Sequence, residues 1–382
     1  MNKINFRKIP AKNIDVLIID EYGFDFLKEC IPKSASCTVI PLPNNISLTI
    51  PFAMNIRFIF NCLLKSLRGK KKLIVLLESL IETTNPKAII SFNDNNTFMG
   101  ELQSKYPEIL VISVQNGIRV DYPSSHGGWD KSALIPNYCG FGDYEKGFML
   151  EKMVRIREYI KAGSLKLGLV LSEIDSKLNE VYDICFISAF RHKKELAGQR
   201  MVEPMLKTQK LLFDIISGIC ACNNYSLAVA MTYEISSENY DVELDYYRAG
   251  IDYSHIQFLP NNLTSFDSYH NGFSSKLVIA LWSTLSIELF GAGKRTIFGG
   301  ILHTQQKDIY TKLFENMPSE VLLYEQDEDH IGEKIEALLN MTDNEYLEKT
   351  AFARDYYMRC ERPYPHEMIR KRIAEHLNIP VE

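Results

Sequence analysis

Nowhere does this chain offer the run of about 18 uninterrupted apolar residues that a membrane-spanning helix needs. It also lacks a basic excess. The net charge is −5 and the pI about 6.0, which excludes a general nucleic-acid binder and leaves only local cation clusters such as Lys70–Lys72 and Arg191–Lys194 to meet anions or a membrane surface. The eight cysteines form no CxxC pair and no metal-finger spacing, so a structural zinc site is not expected and a reducing compartment is. The first twenty residues hold no signal-peptide apolar region, which leads to the expectation of a cytoplasmic protein. Four catalytic signatures are missing as well: the GxxxxGK[ST] phosphate loop, the GxSxG elbow, the HExxH helix and a GxGxxG after a strand. Nucleotide hydrolases, esterases and zinc proteases therefore lose ground. The absence of a DxD pair weakens a metal-dependent sugar transferase, so no metal site and no bound cofactor are expected.

What is present is an ordinary globular composition, 46% hydrophobic and 24% charged, over 382 residues, more than one core usually serves. Strand and helix patterns alternate along both halves. Short apolar runs at 14–20, 38–42, 87–92, 109–115 and 133–141 read as strands, and 24–30, 56–67, 73–84 and 97–104 as helices. The stretch 143–162, rich in Glu, Lys, Arg and Met, reads as one long helix. After an interruption at Gly163 and Ser164 the pattern restarts, with strands at 182–188, 226–231, 256–259, 276–281, 295–298 and 320–324, and helices at 204–223, 241–249, 266–271, 305–314 and from 329 onward. Such alternation implies parallel sheets covered by helices. The expected architecture is α/β with two Rossmann-like domains facing a cleft, residues 1–165 and 166–382.

Ligands of open α/β sheets gather beyond the carboxyl ends of the strands, so the turns there are the candidates. The richest is in Lys276–Gly300, a buried strand, then Ser283, Thr284 and Ser286 crowding a helix start, then a glycine stop and another strand. Ser283 or Thr284 is a natural N-cap, with Glu288 near capping-box distance. A helix N-terminus with hydroxyl donors suits a phosphate, although ordinary capping accounts for the same residues. The turn Asn93, Asp94, Asn95 can bind sugar hydroxyls, with Asp94 as a base, or simply cap the next helix. In the turn Asn116, Gly117, Arg119, Asp121, Gly117 would permit a positive φ and Arg119 a bidentate fork for an anion. His126 sits in a Ser-Gly-rich loop with Trp129. Ser188, Arg191 and Lys193 follow the first strand of the second half and place cations where an anionic ligand would lie.

The strings ISFNDNNTFMGELQSKYPEILVISVQNGIR, NYCGFGDYEKGFM, IKAGSLKLG and LVIALWSTLSIELFGAGKRTIF, in this order, resemble bacterial surface-carbohydrate biosynthesis proteins, relatives of capsule polysaccharide transferases and teichoic-acid glycerophosphotransferases. The resemblance covers about residues 87–300. It implies a GT-B fold, with a nucleotide-sugar donor bound mostly by the second domain and a glycan or lipid-linked glycan acceptor by the first. Ser283, Thr284 and Ser286 would then face the donor phosphates, with Glu288 toward the ribose. Where glycerophosphotransferase relatives carry a histidine before the glycine, this chain has Asn116, which cannot act as a base. That role falls to Asp94, Asp121, Glu101 or His126. The expected activity is a metal-independent glycosyltransferase of capsule or O-antigen (lipopolysaccharide) assembly, working at the membrane surface, with a CMP-linked acidic sugar as one option for the donor. A polyol-phosphate transferase, a nucleotide-sugar epimerase and a non-catalytic glycan-assembly protein are the alternatives.

Overall fold

The computed structural model describes residues 7–8, 13–19, 23–40, 52–53, 56–66, 72–92, 94, 98–120, 134–174, 179–192, 202–262, 266–303 and 307–381. The first half runs β1 (Arg7–Lys8), β2 (Val16–Ile19), α1 (Phe24–Leu27), β3 (Cys37–Ile40), β4 (Phe52–Ala53), α2 (Ile56–Ser66), α3 (Lys72–Thr84), β5 (Ala88–Ser91), α4 (Phe98–Lys105), β6 (Leu110–Val114), β7 (Leu134–Gly140), α5 (Asp143–Glu151), β8 (Arg155–Lys161) and α6 (Leu165–Glu173). The second runs β9 (Tyr182–Ile187), α7 (Val202–Asn223), β10 (Leu227–Ala230), α8 (Tyr240–Arg248), β11 (Ile256–Leu259), α9 (Asp267–Phe273), β12 (Ser275–Ala280), α10 (Thr284–Gly291), β13 (Thr296–Phe298), α11 (Lys307–Leu313), α12 (Glu328–Asn340), α13 (Asp343–Tyr357) and α14 (Pro365–Leu377).

Two large all-parallel sheets result, ordered β3-β2-β5-β6-β7-β8 and β11-β10-β9-β12-β13, and β1 pairs with β4 in a short two-stranded one. The central strands are apolar along their length because helices cover both faces. Val16 and Ile18 face one layer while Leu17 and Ile19 face the other, the period-two alternation of a strand. In the second sheet Ile184 and Phe186 pack under α7, and Cys185 and Ile187 pack toward Leu289 of α10. The strand order reverses between β2 and β5 in the first sheet and between β9 and β12 in the second. Those reversals open the crevices where ligands of such sheets bind.

Two sequence expectations are corrected. Residues 143–162 are not one helix: α5 stops at Glu151, Met153 takes a positive φ of 56°, and the chain enters β8. Strand β8 pairs with β7 only, so it is an edge strand with much of its surface exposed, and pairing overrides the helix preference of its charged residues. Residues 320–324 form no strand either. A short 3-10 turn, Ser319–Val321, leads to a single bridge between Phe298 and Leu322. The sequence reading also missed α6, which begins right at the Gly163–Ser164 interruption.

The last helix crosses back. Ile369, Ile373 and Leu377 of α14 share a core with Val16, Ile18, Ile90 and Ile112 of the first sheet, alongside Leu165 and Leu169 of α6. At roughly 2 kcal/mol for each large aliphatic side chain buried, these three anchors are a substantial fraction of a domain's stability.

Candidate active site

The turn after β6 and the start of α10 meet across the cleft. The Ile118 amide donates to the Thr284 hydroxyl at 3.2 Å, and a Cβ on Gly117 would lie 3.1 Å from that oxygen. Gly117 does not adopt the positive φ expected of it; the close approach of Thr284 limits side-chain size there instead. Gln115 shapes the turn from within, accepting from the Phe141 amide at 2.8 Å and donating to the Gly117 carbonyl at 2.9 Å. Asn116 is exposed to solvent.

Asp94 is buried behind this turn. Its Oδ2 accepts from the Arg119 guanidinium and, at 2.8 Å, from the Tyr138 hydroxyl, while Oδ1 has no hydrogen-bond partner among the described residues. Burial, with the Asp94 carboxylate next to it, pushes the Tyr138 phenol well above its ordinary pKa. Glu145, in the first turn of α5, accepts the Arg119 amide at 3.2 Å, and Tyr144 donates to the Arg119 carbonyl at 2.8 Å. Desolvation pushes Glu145 up to about 8, against the pull of Arg119. Near neutral pH Glu145 is therefore largely protonated, which leaves the positive charge of Arg119 to Asp94. Tyr138 and Glu145 were missed in the sequence. Nothing in an apolar strand or a helix start marks a residue whose partner is 44 or 26 positions away.

On the other side, Ser283 caps α10. Its Oγ accepts the Ser286 amide at 3.0 Å, and the Ser286 hydroxyl accepts the Ser283 amide at 2.9 Å, a reciprocal capping box. The box closes through Ser286, not Glu288. Of the first four helix amides, those of Ser286 and Ile287 are taken by the Ser283 side chain and carbonyl, so the Thr284 and Leu285 amides are the ones an incoming anion would meet. Glu288 is buried. It accepts from the Ser164 hydroxyl and, at 2.7 Å, from Tyr269, with burial raising its pKa above the ordinary value. Since Ser164 also caps α6 through the Leu167 amide at 3.3 Å, Glu288 ties the start of α6 to the body of the second sheet.

At the exit of β9, Ser188 turns inward. It donates to Glu243 at 2.5 Å and accepts from Tyr247 at 2.8 Å, and Glu243 also receives the Thr232 and Tyr233 amides at 2.9 and 3.0 Å. This network, whose members Glu243 and Tyr247 the sequence reading did not pick out, fixes the ends of β9 and β10. Arg191 is exposed just beyond it and donates to the Phe190 carbonyl at 3.0 Å. Asn93, Asn95, Asp121, His126 and Lys193 lie outside the described residues. Among the described residues no cluster of His, Cys, Asp and Glu could hold a metal ion, and no helix is long and apolar enough to cross a membrane.

Residues 142–350 match the profile of a family described as "putative O-antigen biosynthesis protein". No curated protein sequence matches the chain. Solved structures with the same fold include the S. aureus MnaA–UDP complex (13% identity, 97% of this chain and 98% of that one, TM-score 0.56). A second is a Neisseria meningitidis UDP-GlcNAc 2-epimerase bound to UDP-GlcNAc (12%, 97% and 100%, TM-score 0.51). A third is the wall teichoic acid polymerase TagF (12%, 96% and 90%, TM-score 0.54). The architecture is GT-B, as the sequence resemblance implied.

Proposed function

The chain belongs to this O-antigen biosynthesis family, and from that premise we propose that it is a glycosyltransferase that moves a sugar from a nucleotide-activated donor to a surface-glycan acceptor. One observation carries the reading. The turn after β6, which carries Arg119, abuts the N-terminus of α10, and Arg119 pairs behind that turn with the buried carboxylate of Asp94.

In this mechanism the donor phosphates lie on the Thr284 and Leu285 amides, flanked by Ser283 and Ser286, with Arg191 and Lys193 adding positive charge. Arg119 and Tyr138 hold Asp94 Oδ2, leaving Oδ1 to take the proton of the acceptor hydroxyl. The acceptor oxygen then bonds to the anomeric carbon as the bond from that carbon to the phosphate oxygen breaks. The charge released on the nucleotide is stabilised by the helix N-terminus and the nearby cations, with no metal required. Asn93 and Asn95, which flank Asp94 in the sequence, are the proposed acceptor contacts, and Asp121 and His126 are the alternative bases. Glu288 serves as a strut, not as a ribose ligand.

The test is a thermal-shift screen against CMP, CDP, UDP, GDP and their sugar conjugates. UDP sugars come first because two structures of this fold hold UDP or UDP-GlcNAc, and CMP-linked acidic sugars second because the exposed Arg191 suits a carboxylate. A shift with one base, followed by turnover only when a glycan acceptor is present, supports the transferase. Turnover of the donor without acceptor would point to the epimerase alternative, and no shift with any nucleotide would remove the donor site from α10.

A further inference from the structure

Lys166 is a cation set against its own helix. It is the second residue of α6, whose N-cap is Ser164, and no acidic residue stands in that first turn. A helix start is the positive end of the helix dipole, where carboxylates are favoured and cations are not. The side chain is half-buried. Among the described residues it makes no ion pair and no hydrogen bond. Its ammonium lies instead over two aromatic rings, 4.9 Å from the centre of Phe26 and 5.7 Å from that of Phe92. Glu288 feels this charge, but the Glu288 oxygens accept from Ser164 and Tyr269. The rings attract the cation without replacing any of the hydrogen bonds that its three donors can make.

The position is the one where a sheet of this kind receives a ligand. Phe92 is the first residue after β5, and Phe26 lies in α1, the helix that follows β2. Those two strands are neighbours, and the strand order of the first sheet reverses between them. The rings under the ammonium are fixed. A Cβ on Gly23 would come 2.4 Å from that of Phe92, so the glycine lets the turn after β2 close on this ring. Phe266, at the start of α9, lies 5.9 Å from Phe26 and packs against the cores of both halves. A half-exposed ammonium is thus held at the carboxyl ends of β2 and β5. A compact point charge suits the concentrated charge of a phosphate, whereas a carboxylate is better matched by the planar fork of arginine.

We propose that Lys166 binds a phosphate group of the acceptor, with Phe26 and Phe92 holding the ammonium in place. The acceptor is then a phosphorylated glycan or a lipid phosphate. Assigning this phosphate to the acceptor rests on the transferase reading, in which the first half holds the acceptor and the donor phosphates lie on α10.

Titration calorimetry on the full chain tests it with glucose 6-phosphate, glucose and dihexanoyl phosphatidic acid, a soluble lipid phosphate. The wild type should bind at least one of the two phosphates, more weakly as salt is added, and should not bind glucose. A preference for glucose 6-phosphate assigns the site to a phosphorylated glycan, and a preference for phosphatidic acid to a lipid phosphate. Lys166→Met keeps the length and apolar packing of the stem while removing the charge. Its affinity for the phosphate should fall by about tenfold or more, the range of a charge-assisted hydrogen bond, with a melting temperature no lower than that of the wild type. Lys166→Arg should retain most of the binding. The thermal shift with UDP is measured in parallel: its absence already in the wild type counts against the UDP-sugar donor, and its survival in Lys166→Met shows that the donor site is intact. Absence of wild-type binding to both phosphates, or an affinity unchanged in Lys166→Met, overturns the proposal. Loss of binding together with a lower melting temperature marks the lysine as a strut on the aromatic rings and overturns it as well.

Discussion

Replacing Glu145 by glutamine should change how stability depends on pH more than it changes the fold. The buried Glu145 carboxyl has its pKa raised from 4.5 to about 8, so the folded state holds a proton that the unfolded chain releases. A carboxyl raised in the folded state contributes nothing below about pH 4.5 and costs progressively more stability up to about pH 8, after which the cost is constant. At about 1.4 kcal/mol for each tenfold change in proton affinity, the cost is just under about 1 kcal/mol at pH 5, about 3 at pH 7 and about 5 above pH 9. These are upper figures, since water entry and side-chain relaxation reduce them. The glutamine mimics the protonated acid: its oxygen can still accept the Arg119 amide, and it has no proton to lose. Scanning calorimetry of both proteins from pH 5 to pH 9 should show near-equal melting temperatures at the acid end. The variant should gain on the wild type as pH rises, by roughly 1 °C for each kcal/mol in a chain of this size. The gap should stop widening above about pH 8. Parallel curves over the whole range would refute the claim that Glu145 is protonated in the folded protein.

Three further outcomes are expected. Asp94→Asn should lower turnover by about 10²–10⁴-fold, the usual contribution of a general base, yet leave the nucleotide-induced thermal shift intact; a lost shift would mean that the residue holds the cleft together rather than moving a proton. Ser283→Ala removes the cap hydroxyl of α10, at a cost of about 1 kcal/mol in denaturant unfolding, and should weaken nucleotide binding in titration calorimetry. An unchanged affinity would place the phosphates elsewhere. Glu288→Ala strands the Ser164 and Tyr269 hydroxyls and opens a cavity, for a loss of about 3 kcal/mol or more. A variant as stable as the wild type would show that the strut bears no strain.

The framework was legible because parallel strands announce themselves. Runs such as Val16–Ile19 and Leu227–Ala230 are short, apolar and bounded by turns, and both lie inside a sheet rather than at its edge. Edge strand β8 was not, since its charged, half-exposed sequence satisfies a helix equally well and only its pairing with β7 decides. The same divide runs through the site. The capping residues of α10 are local and could be read from spacing, apart from which side chain closes the box. The Asp94–Arg119–Tyr138 cluster and the Ser188–Glu243 network join distant segments, and no periodicity encodes such pairings. Glu288 shows the opposite error. A carboxylate on a ligand-facing helix invites a ligand role, but in the folded chain it points inward at two hydroxyls.

The return of α14 to the first sheet has a mechanical consequence. The polypeptide passes between the two halves twice, at Gly163 and again just after α13, and the two passages touch: a Cβ on Gly163 would collide with the Arg359 carbonyl oxygen. Arg359 binds the first half from that point, through its amide to the Phe141 carbonyl at 3.0 Å. The two passages are therefore packed backbone against backbone, with no room for a side chain at Gly163, whose φ of +89° also disfavours one. A substitution at this single position should disturb both crossings at once, although the two lie almost 200 residues apart in the chain.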